Sequence, residues 1–163
     1  MSGTDGENMQ VEIKPLSHPD EARACAELMA GSEPWLTLGR TFNDCFKLLN
    51  EPGREIYVAR GDEDLAGFIV LQLRGAFTGY IQTIGVMQEW RNRGVGTRLI
   101  NFAEERIFRE SKNVFLCVSS FNTQAQKLYA RLGYERVGEL KDYLVKGPSE
   151  ILMRKTIGPI ISG

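Results

Sequence analysis

The sequence has one histidine, His18, and only three cysteines, Cys25, Cys45 and Cys117, which lie far apart. A metal site built on several histidines is therefore excluded, and a Ser–His or Cys–His catalytic pair would need His18 itself. His18 lies in Ser17-His18-Pro19-Asp20, which is typical of a turn that enters a helix. The odd number of cysteines and the lack of a Cys-x-x-Cys spacing argue against a zinc site or a disulfide framework. We expect reduced thiols, a cytoplasmic protein and no bound metal.

Long apolar runs and an excess of charge are also missing. No run approaches the roughly 18 apolar residues that span a bilayer. Residues 1–10 are polar and lack the apolar region of a signal peptide, so we predict a disordered tail there. A net charge of -1 provides neither a basic surface for nucleic acid nor an acidic tail. We expect no nucleic-acid or membrane partner, and a single domain over residues 11–157 followed by a frayed tail at 158–163.

Hydrophobic periodicity predicts an α+β fold with a mixed sheet. Short Gly-containing turns between apolar runs in the first half are typical of antiparallel hairpins. A continuous apolar run after a helix indicates a strand covered on both faces and a parallel crossover. The predicted strands are 11–14, 55–60, 65–73, 77–86, 114–118, 134–145 and 149–156, and the predicted helices are 19–30, 41–50, 97–111 and 122–132. The sheet should be antiparallel in its N-terminal part and parallel in the middle, with helices on both faces.

The segment between the strand ending at Val86 and the next helix has the composition of an anion-binding loop. Gly94 and Gly96 allow the backbone to approach a ligand closely. The helix N-terminus offers unpaired N–H groups and a partial positive charge. Arg91 and Arg93 add full charges that suit phosphate. The alternative is an ordinary Gly-rich helix entry with solvated arginines.

Two common phosphate-binding patterns do not fit this loop. A P-loop needs Lys after its last glycine, and Thr97 follows Gly96. A dinucleotide-binding fingerprint needs a third glycine, and that position is Leu99. The ligand is therefore expected to be neither a nucleoside triphosphate nor a dinucleotide.

Two motifs together resemble the GCN5-related N-acetyltransferase (GNAT) superfamily. Arg91-x-x-Gly94-x-Gly96 matches the central Gln/Arg-x-x-Gly-x-Gly/Ala motif of that family, and the order of elements fits from Val11 to Thr156. The segment Asn122-x-x-Ala125-x-x-Leu128-Tyr129-x-x-Leu132-Gly133-Tyr134 is similar to its next conserved segment. The resemblance implies a central sheet of six to seven strands with splayed parallel middle strands.

The activity that the resemblance implies is transfer of acetyl from acetyl-CoA to a primary amine of a small molecule or of a peptide or protein. The amine would attack the thioester directly. A non-catalytic acyl-CoA-binding module is the alternative, and a structural domain whose loop binds nothing is a third reading. The resemblance also implies a possible homodimer. It does not identify the amine.

In the family, the acyl donor lies between the two splayed strands, here 77–86 and 114–119. The pantetheine would pair with the main chain of Ile84, Gly85 and Val86, and a backbone N–H near Val86 could polarise the thioester carbonyl. Asn122 would cap its helix and approach the donor, or would be a plain N-cap. The loop residues expected to hold the pyrophosphate are Arg91, Asn92, Arg93, Gly94, Val95, Gly96 and Thr97.

Tyr129 occupies the position of the family's general acid and would also contact the donor. A phenol with a pKa of about 10 can protonate a thiolate whose thiol has a pKa of about 8.5 only slightly uphill. Tyr129 could instead be a buried aromatic. No base is apparent. Two branches of the family each carry a glutamate on one of the two splayed strands, and the corresponding positions in this sequence are Tyr80 and Cys117. Gln82 could hold a water, and Cys117 is predicted to be a buried structural thiol.

The acceptor should enter opposite the donor. Glu33 and Asp142 could attract a cationic amine, or could be ordinary solvated charges. Trp35 could form a wall of the pocket or anchor the core. The complete set expected on the acceptor side is Glu33, Trp35, Tyr80, Gln82, Asp142 and Tyr143.

Overall fold

The structure is a computed structural model that describes residues 10–161. The tail predicted at 1–10 therefore lies outside the described residues apart from Gln10, as do the last two residues of the tail predicted at 158–163. The strands are β1 Val11–Pro15, β2 Glu55–Gly61, β3 Asp64–Gln72, β4 Tyr80–Val86, β5 Asn113–Ser119, β6 Glu135–Leu140 and β7 Glu150–Thr156. The helices are α1 Pro19–Ala30, α2 Phe42–Asn50, α3 Val95–Phe108 and α4 Thr123–Arg131, with a short 3-10 turn at Gln88–Trp90.

Within the described part of the chain, seven strands form one sheet in the order β1-β2-β3-β4-β5-β7-β6. The pairs from β1 to β4 are antiparallel, and β4 and β5 are parallel. The mixed α+β fold predicted from the sequence is confirmed. The last strand, β7, lies between β5 and β6 and is antiparallel to both.

Two apolar cores cover the two faces of the sheet. One face packs against α3 through Leu99, Ala103 and Ile107, which are fully buried; we call this the α3 core. The other packs against the first two helices through residues such as Met29 and Leu49; we call this the α1–α2 core. Helices on both faces were predicted, and this is confirmed. None of the helices among residues 10–161 combines the length and apolarity that crossing a bilayer requires.

Side chains at helix starts account for where two of the helices begin. His18 Nδ1 accepts a hydrogen bond from the backbone N–H of Asp20 at 3.2 Å, and Pro19 follows at the first helical position of α1. Asn122 Oδ1 accepts from the backbone N–H of Ala125 at 3.3 Å at the start of α4. Capping by short polar side chains thus sets both helix N-termini.

Three predicted elements had boundaries that were wrong by more than one residue. The strand predicted at 77–86 begins at Tyr80, because Gly79 has a φ of 85° and interrupts the extended chain. The strand predicted at 134–145 ends at Leu140, since Asp142 has a φ of 51° and its Oδ1 accepts from Gly147 N at 2.8 Å in a turn. The helix predicted at 97–111 runs from Val95 to Phe108.

A β-bulge marks the point where the middle of the sheet opens. Leu71 of β3 pairs with Ile81, but Val70 pairs with Thr83, so Gln82 is an extra residue in β4. On the other edge of β4, the pairing with β5 extends over Tyr80 and Ile81 alone among the described residues. The two parallel strands therefore separate at the bulge, and their predicted splay is confirmed.

Candidate active site

A cleft of about 850 Å³ opens where β4 and β5 separate. Its walls come from β4, β5, the first turns of α4, the connection between α1 and α2, and the connection between β6 and β7. Of the site residues predicted from the sequence, Ile84, Gly85, Val86, Arg91, Asn122, Tyr129, Glu33, Trp35, Tyr80, Gln82 and Tyr143 line it. The predicted loop residues 92–97 and Asp142 lie outside the lining. The carboxylate of Asp142 accepts a hydrogen bond from Gly147.

The cleft has two chemically different sides. Ile81 and Leu116 point into the α3 core, together with Tyr129. Alternate residues of a strand point to opposite faces, so Tyr80 and Cys117 point to the α1–α2 side. An acyl donor between the strands would therefore have Tyr129 on one side and Tyr80 and Cys117 on the other.

The loop before α3 fits an anion. Gly94 is the N-cap and has a φ of 80°. Because it is a glycine, no side chain caps the backbone N–H groups of the first turn. Asn92 also adopts a left-handed conformation, with a φ of 61°. A Cβ on Gly96 would have only ordinary contact, with Val86 Cγ2 at 3.8 Å. The backbone N–H groups of the first turn, through Thr97, are thus suited to a pyrophosphate.

Two arginines lie in this loop. Arg91 Nε donates a hydrogen bond to the carbonyl oxygen of Val86 at 3.2 Å, and its Nη2 lies 3.5 Å from Ser32 Oγ. The guanidinium of Arg93 lies 5.6 Å from the ring centroid of Trp90. Arg91 therefore ties the loop to the end of β4, and both charges are carried by the loop that leads into α3.

The end of β4 offers an unpaired backbone edge. Beyond Ile81, the edge of β4 that faces β5 has no strand partner among residues 10–161. Gly85 lies in this segment, and a Cβ there would clash with the ring of Phe68. Ile84, Gly85 and Val86 are therefore placed for the main-chain pairing expected with an extended amide-containing arm such as pantetheine.

Tyr129 lies at the α3 side of the cleft and is 8% exposed. Burial raises its pKa to about 12, so the phenol is protonated at neutral pH. Its ring packs edge-on against Tyr134, with 5.9 Å between centroids. Tyr129 is thus both a buried aromatic and a residue of the cleft wall.

Tyr80 and Cys117 interact on the opposite side. The Tyr80 hydroxyl lies near the Cys117 thiol, and burial raises the pKa of both groups. Cys117 is partly exposed, so the prediction of a buried thiol was wrong. A raised pKa keeps the thiol protonated, which argues against a nucleophilic role.

Three other residues predicted on the acceptor side form hydrogen bonds or packing contacts within the protein. Gln82 Oε1 accepts a hydrogen bond from Arg54. Glu33 Oε2 accepts from the backbone N–H of Thr37 at 3.2 Å. Trp35 lines the cleft and also packs against the α1–α2 core, so both readings of this residue hold.

Sequence reasoning missed three charged residues of the cleft: Arg40, Asp44 and Glu150. Glu150 is the buried one of the three. It is the first residue of β7, is 6% exposed and pairs with Ser119 of β5. It belongs to no motif. The available signal was a carboxylate at the start of a strand whose next residues, Ile151 to Met153, are apolar.

Comparison with known proteins agrees with this geometry. A family model described as "Acetyltransferase (GNAT) family" matches residues 20–134. The chain belongs to the GNAT acetyltransferase family. The N-alpha-acetyltransferase RimI of Mycobacterium tuberculosis is 33% identical over 156 residues, which cover 91% of this chain and 94% of the relative. Membership in this family makes the protein an acyltransferase.

Two solved structures of acetyltransferases share the fold. An aminoglycoside 6'-N-acetyltransferase complexed with coenzyme A has a TM-score of 0.74 at 20% identity, covering 93% of this chain and 99% of that one. A spermidine N-acetyltransferase from Vibrio cholerae, in complex with CoA and spermine, has a TM-score of 0.71 at 18% identity, covering 90% and 95%. At such identities the likeness concerns the fold alone.

Proposed function

We propose that this protein transfers acetyl from acetyl-CoA to the α-amine at the N-terminus of a peptide or protein. The observation that carries the proposal is the relationship to an N-alpha-acetyltransferase over nearly the whole of both chains. The splayed strands and the glycine loop supply the donor site, and the cleft between them supplies the room for an acceptor.

Binding of the donor would use main-chain groups. The N–H groups from Asn92 to Thr97 would hold the pyrophosphate, supported by the charges of Arg91 and Arg93. The unpaired edge at Ile84–Val86 would pair with the pantetheine amides. Acetyl-CoA supplies the thioester, and a backbone N–H near Val86 would polarise its carbonyl.

Tyr129 would protonate the departing sulfur. Its phenol is neutral at physiological pH because burial raises its pKa to about 12. Asn122, which caps α4 and lines the cleft, would help to fix the wall that carries Tyr129. The phenol would thus act as a fixed hydrogen-bond donor to the developing thiolate.

The charges of the acceptor wall favour a single amine over a polycation. Glu33 and Asp44 each accept hydrogen bonds from backbone N–H groups of their own segments, and Arg40 lies on the same wall. A polyamine or aminoglycoside carries several positive charges and would be better served by several uncommitted carboxylates than by Glu150 alone. Trp35 and Tyr143 offer aromatic surface to the residues that follow an N-terminal amine.

A matched pair of peptides tests the proposal. One has a free N-terminus and a blocked lysine, and the other has a blocked N-terminus and a free lysine. An α-amine has a pKa of about 7.7–8.0 against about 10.4 for lysine, so far more of it is neutral at pH 7. We expect thiol release with the first peptide, little with the second, and binding of acetyl-CoA by calorimetry. Faster reaction with spermidine or with the lysine peptide would refute the acceptor assignment.

Binding of acetyl-CoA without turnover of any amine would favour the alternative, a non-catalytic acyl-CoA-binding module. The thiols of Cys25, Cys45 and Cys117 are unpaired, which fits a reducing compartment, so we propose that the reaction takes place in the cytoplasm. A homodimer, which the family resemblance implies, stays a prediction that light scattering can test.

A further inference from the structure

Glu150 is a buried carboxylate whose surroundings do not satisfy it. The strand residue on one side of it is Ser119, and the one on the other side is Leu140. It is 6% exposed, and within residues 10–161 no group hydrogen-bonds its Oε2. A buried carboxylate oxygen without a hydrogen bond costs free energy, so such a group in a cleft suggests a functional role.

The position of Glu150 is on the acceptor side of the cleft. Directly paired residues point to the same face of a sheet, so Glu150 shares the face of Ser119 and, two residues earlier in β5, of Cys117. Its neighbour Ile151 points into the α3 core instead. Glu150 and Tyr129 therefore lie on opposite faces of the sheet, on either side of the opening between β4 and β5.

Other groups near the opening are less suited to accept a proton. The hydroxyl of Tyr80 and the thiol of Cys117 have raised pKa values and stay protonated at neutral pH. Gln82 has no basic group. Glu33 is exposed and its Oε2 accepts a backbone hydrogen bond in its own loop. Of the groups named here, Glu150, a carboxylate of strand β7 in the cleft lining, is the best suited to accept a proton.

We propose that Glu150 is the proton acceptor for the amine substrate. This inference rests on the proposed function. An ammonium nitrogen loses two protons when it becomes an amide. One would pass to Glu150, directly or through a water, and then to solvent. The nitrogen lone pair forms the bond to the acetyl carbon, and the carbon–sulfur bond breaks. Tyr129 gives its proton to the departing sulfur, and the second proton of the nitrogen then reprotonates Tyr129.

Burial raises the pKa of Glu150, and the nearby Ser119 hydroxyl opposes that shift. The titratable groups that face it are Tyr80 of β4 and Cys117 of β5, both neutral at pH 7. Tyr143 lies beside Tyr80, and the α1–α2 wall carries the opposite charges of Arg40 and Asp44. A carboxylate with a raised pKa is a stronger base but must still be ionised at working pH.

Glu150→Gln, Glu150→Asp and a control, Glu139→Gln, test the role. Glu139 is on the neighbouring strand β6 and lies outside the cleft lining. We expect Glu150→Gln to lower kcat for the peptide by about 100-fold and to remove the acidic limb of the pH–rate profile. Glu150→Asp should keep that limb with a lower rate. Affinity for acetyl-CoA by calorimetry should be unchanged in all three variants.

A readout without turnover comes from ¹³C-labelled glutamate carboxyls. The Glu150 signal, assigned by its loss in Glu150→Gln, should titrate above the exposed glutamates yet be ionised by pH 7. A signal still protonated at pH 8 would overturn the proposal. So would wild-type kcat in Glu150→Gln, or a loss of rate accompanied by loss of thermal stability or acetyl-CoA affinity. Absence of turnover in the wild type with every amine would overturn the proposed function as well.

Discussion

Lys155 in β7 pairs with the buried carboxylate of Glu104 in α3: its Nζ lies 2.7 Å from Oε1 and 3.1 Å from Oε2. The same ammonium lies 5.9 Å from the ring centroid of Tyr134. The pair joins the last strand to the helix whose N-terminus forms the donor loop. It therefore stabilises the α3 side of the site without touching the cleft.

Replacing Lys155 with Met should destabilise the protein, because the Glu104 side chain, 8% exposed, would lose its partner. We expect a loss of about 2 kcal/mol, the low end for such pairs because Lys155 is partly exposed. Thermal unfolding should show a midpoint lowered by about 6 °C. Arg136→Met, which breaks the exposed pair with Glu139, is the control and should change stability by less than about 0.5 kcal/mol. Equal effects would contradict this account.

Gly96 offers a test of the donor loop. Gly96→Ala should be tolerated, since a Cβ there makes only an ordinary contact with Val86, and should stabilise the helix by up to about 1 kcal/mol. Gly96→Leu should weaken acetyl-CoA binding by about tenfold or more, because its side chain would compete with a ligand at the helix N-terminus. Calorimetry and thermal unfolding of both variants separate the two effects. Parallel losses of binding and stability in Gly96→Leu would indicate a purely structural loop.

Tyr129→Phe should lower kcat by about 100-fold and leave acetyl-CoA affinity unchanged. The matched control is Tyr134→Phe, a buried tyrosine outside the cleft lining. Because burial raises the pKa of Tyr129 to about 12, its ionisation should not contribute a basic limb to the pH–rate profile below pH 10. A basic limb that shifts in Tyr129→Phe would show that this assignment is wrong.

Stability should depend on pH through Glu150. Burial raises the pKa of Glu150 in the folded protein. Between the ordinary and the raised pKa, the folded chain therefore binds more protons than the unfolded chain. The free energy of unfolding falls as pH rises through that window. Glu150→Gln removes the buried charge and should raise the thermal midpoint at pH 7. The gain should vanish at pH values below the ordinary glutamate pKa, where the wild-type side chain is neutral. A lower midpoint at pH 7 would point to a structural role.

Tyr143 should act on the acceptor alone. It lines the cleft and is 59% exposed, so Tyr143→Ala removes contact surface without opening the core. We expect a several-fold higher KM for the peptide and no change in the KM for acetyl-CoA. Ile157→Ala, also an exposed apolar residue but outside the cleft lining, should leave both values unchanged. A higher KM for acetyl-CoA would move Tyr143 to the donor side.

Local patterns predicted most of the fold. Alternation and apolar runs located the strands, and Asn122 was recognised as a helix cap because capping depends on neighbours in sequence. The place of β7 between β5 and β6 could not be predicted in this way, since strand order depends on contacts between distant segments. The limits at Tyr80 and Leu140 depended on backbone conformations at Gly79 and Asp142.

The same difference between local and long-range features applies to the candidate site. The donor loop was found because its chemistry is contiguous in sequence, from Arg91 to Thr97. Glu150 was missed because it is recognised as a site residue only by its burial beside Ser119, which is more than thirty positions earlier in the chain. Asp142 was expected in the site, and its position in a turn directs its carboxylate to Gly147.

The extra residue in β4 makes the length of this segment matter more than the identity of its side chain. Replacing Gln82 changes its hydrogen bond with Arg54, but removing it would remove the bulge and leave β3 and β4 in a regular ladder, with Thr83 to Val86 on their present faces. Ile84 would stay on the face of the α3 core, and β4 could continue its pairing along β5. A single-codon deletion here would therefore convert an open sheet into a continuous one, while most substitutions would leave the opening intact.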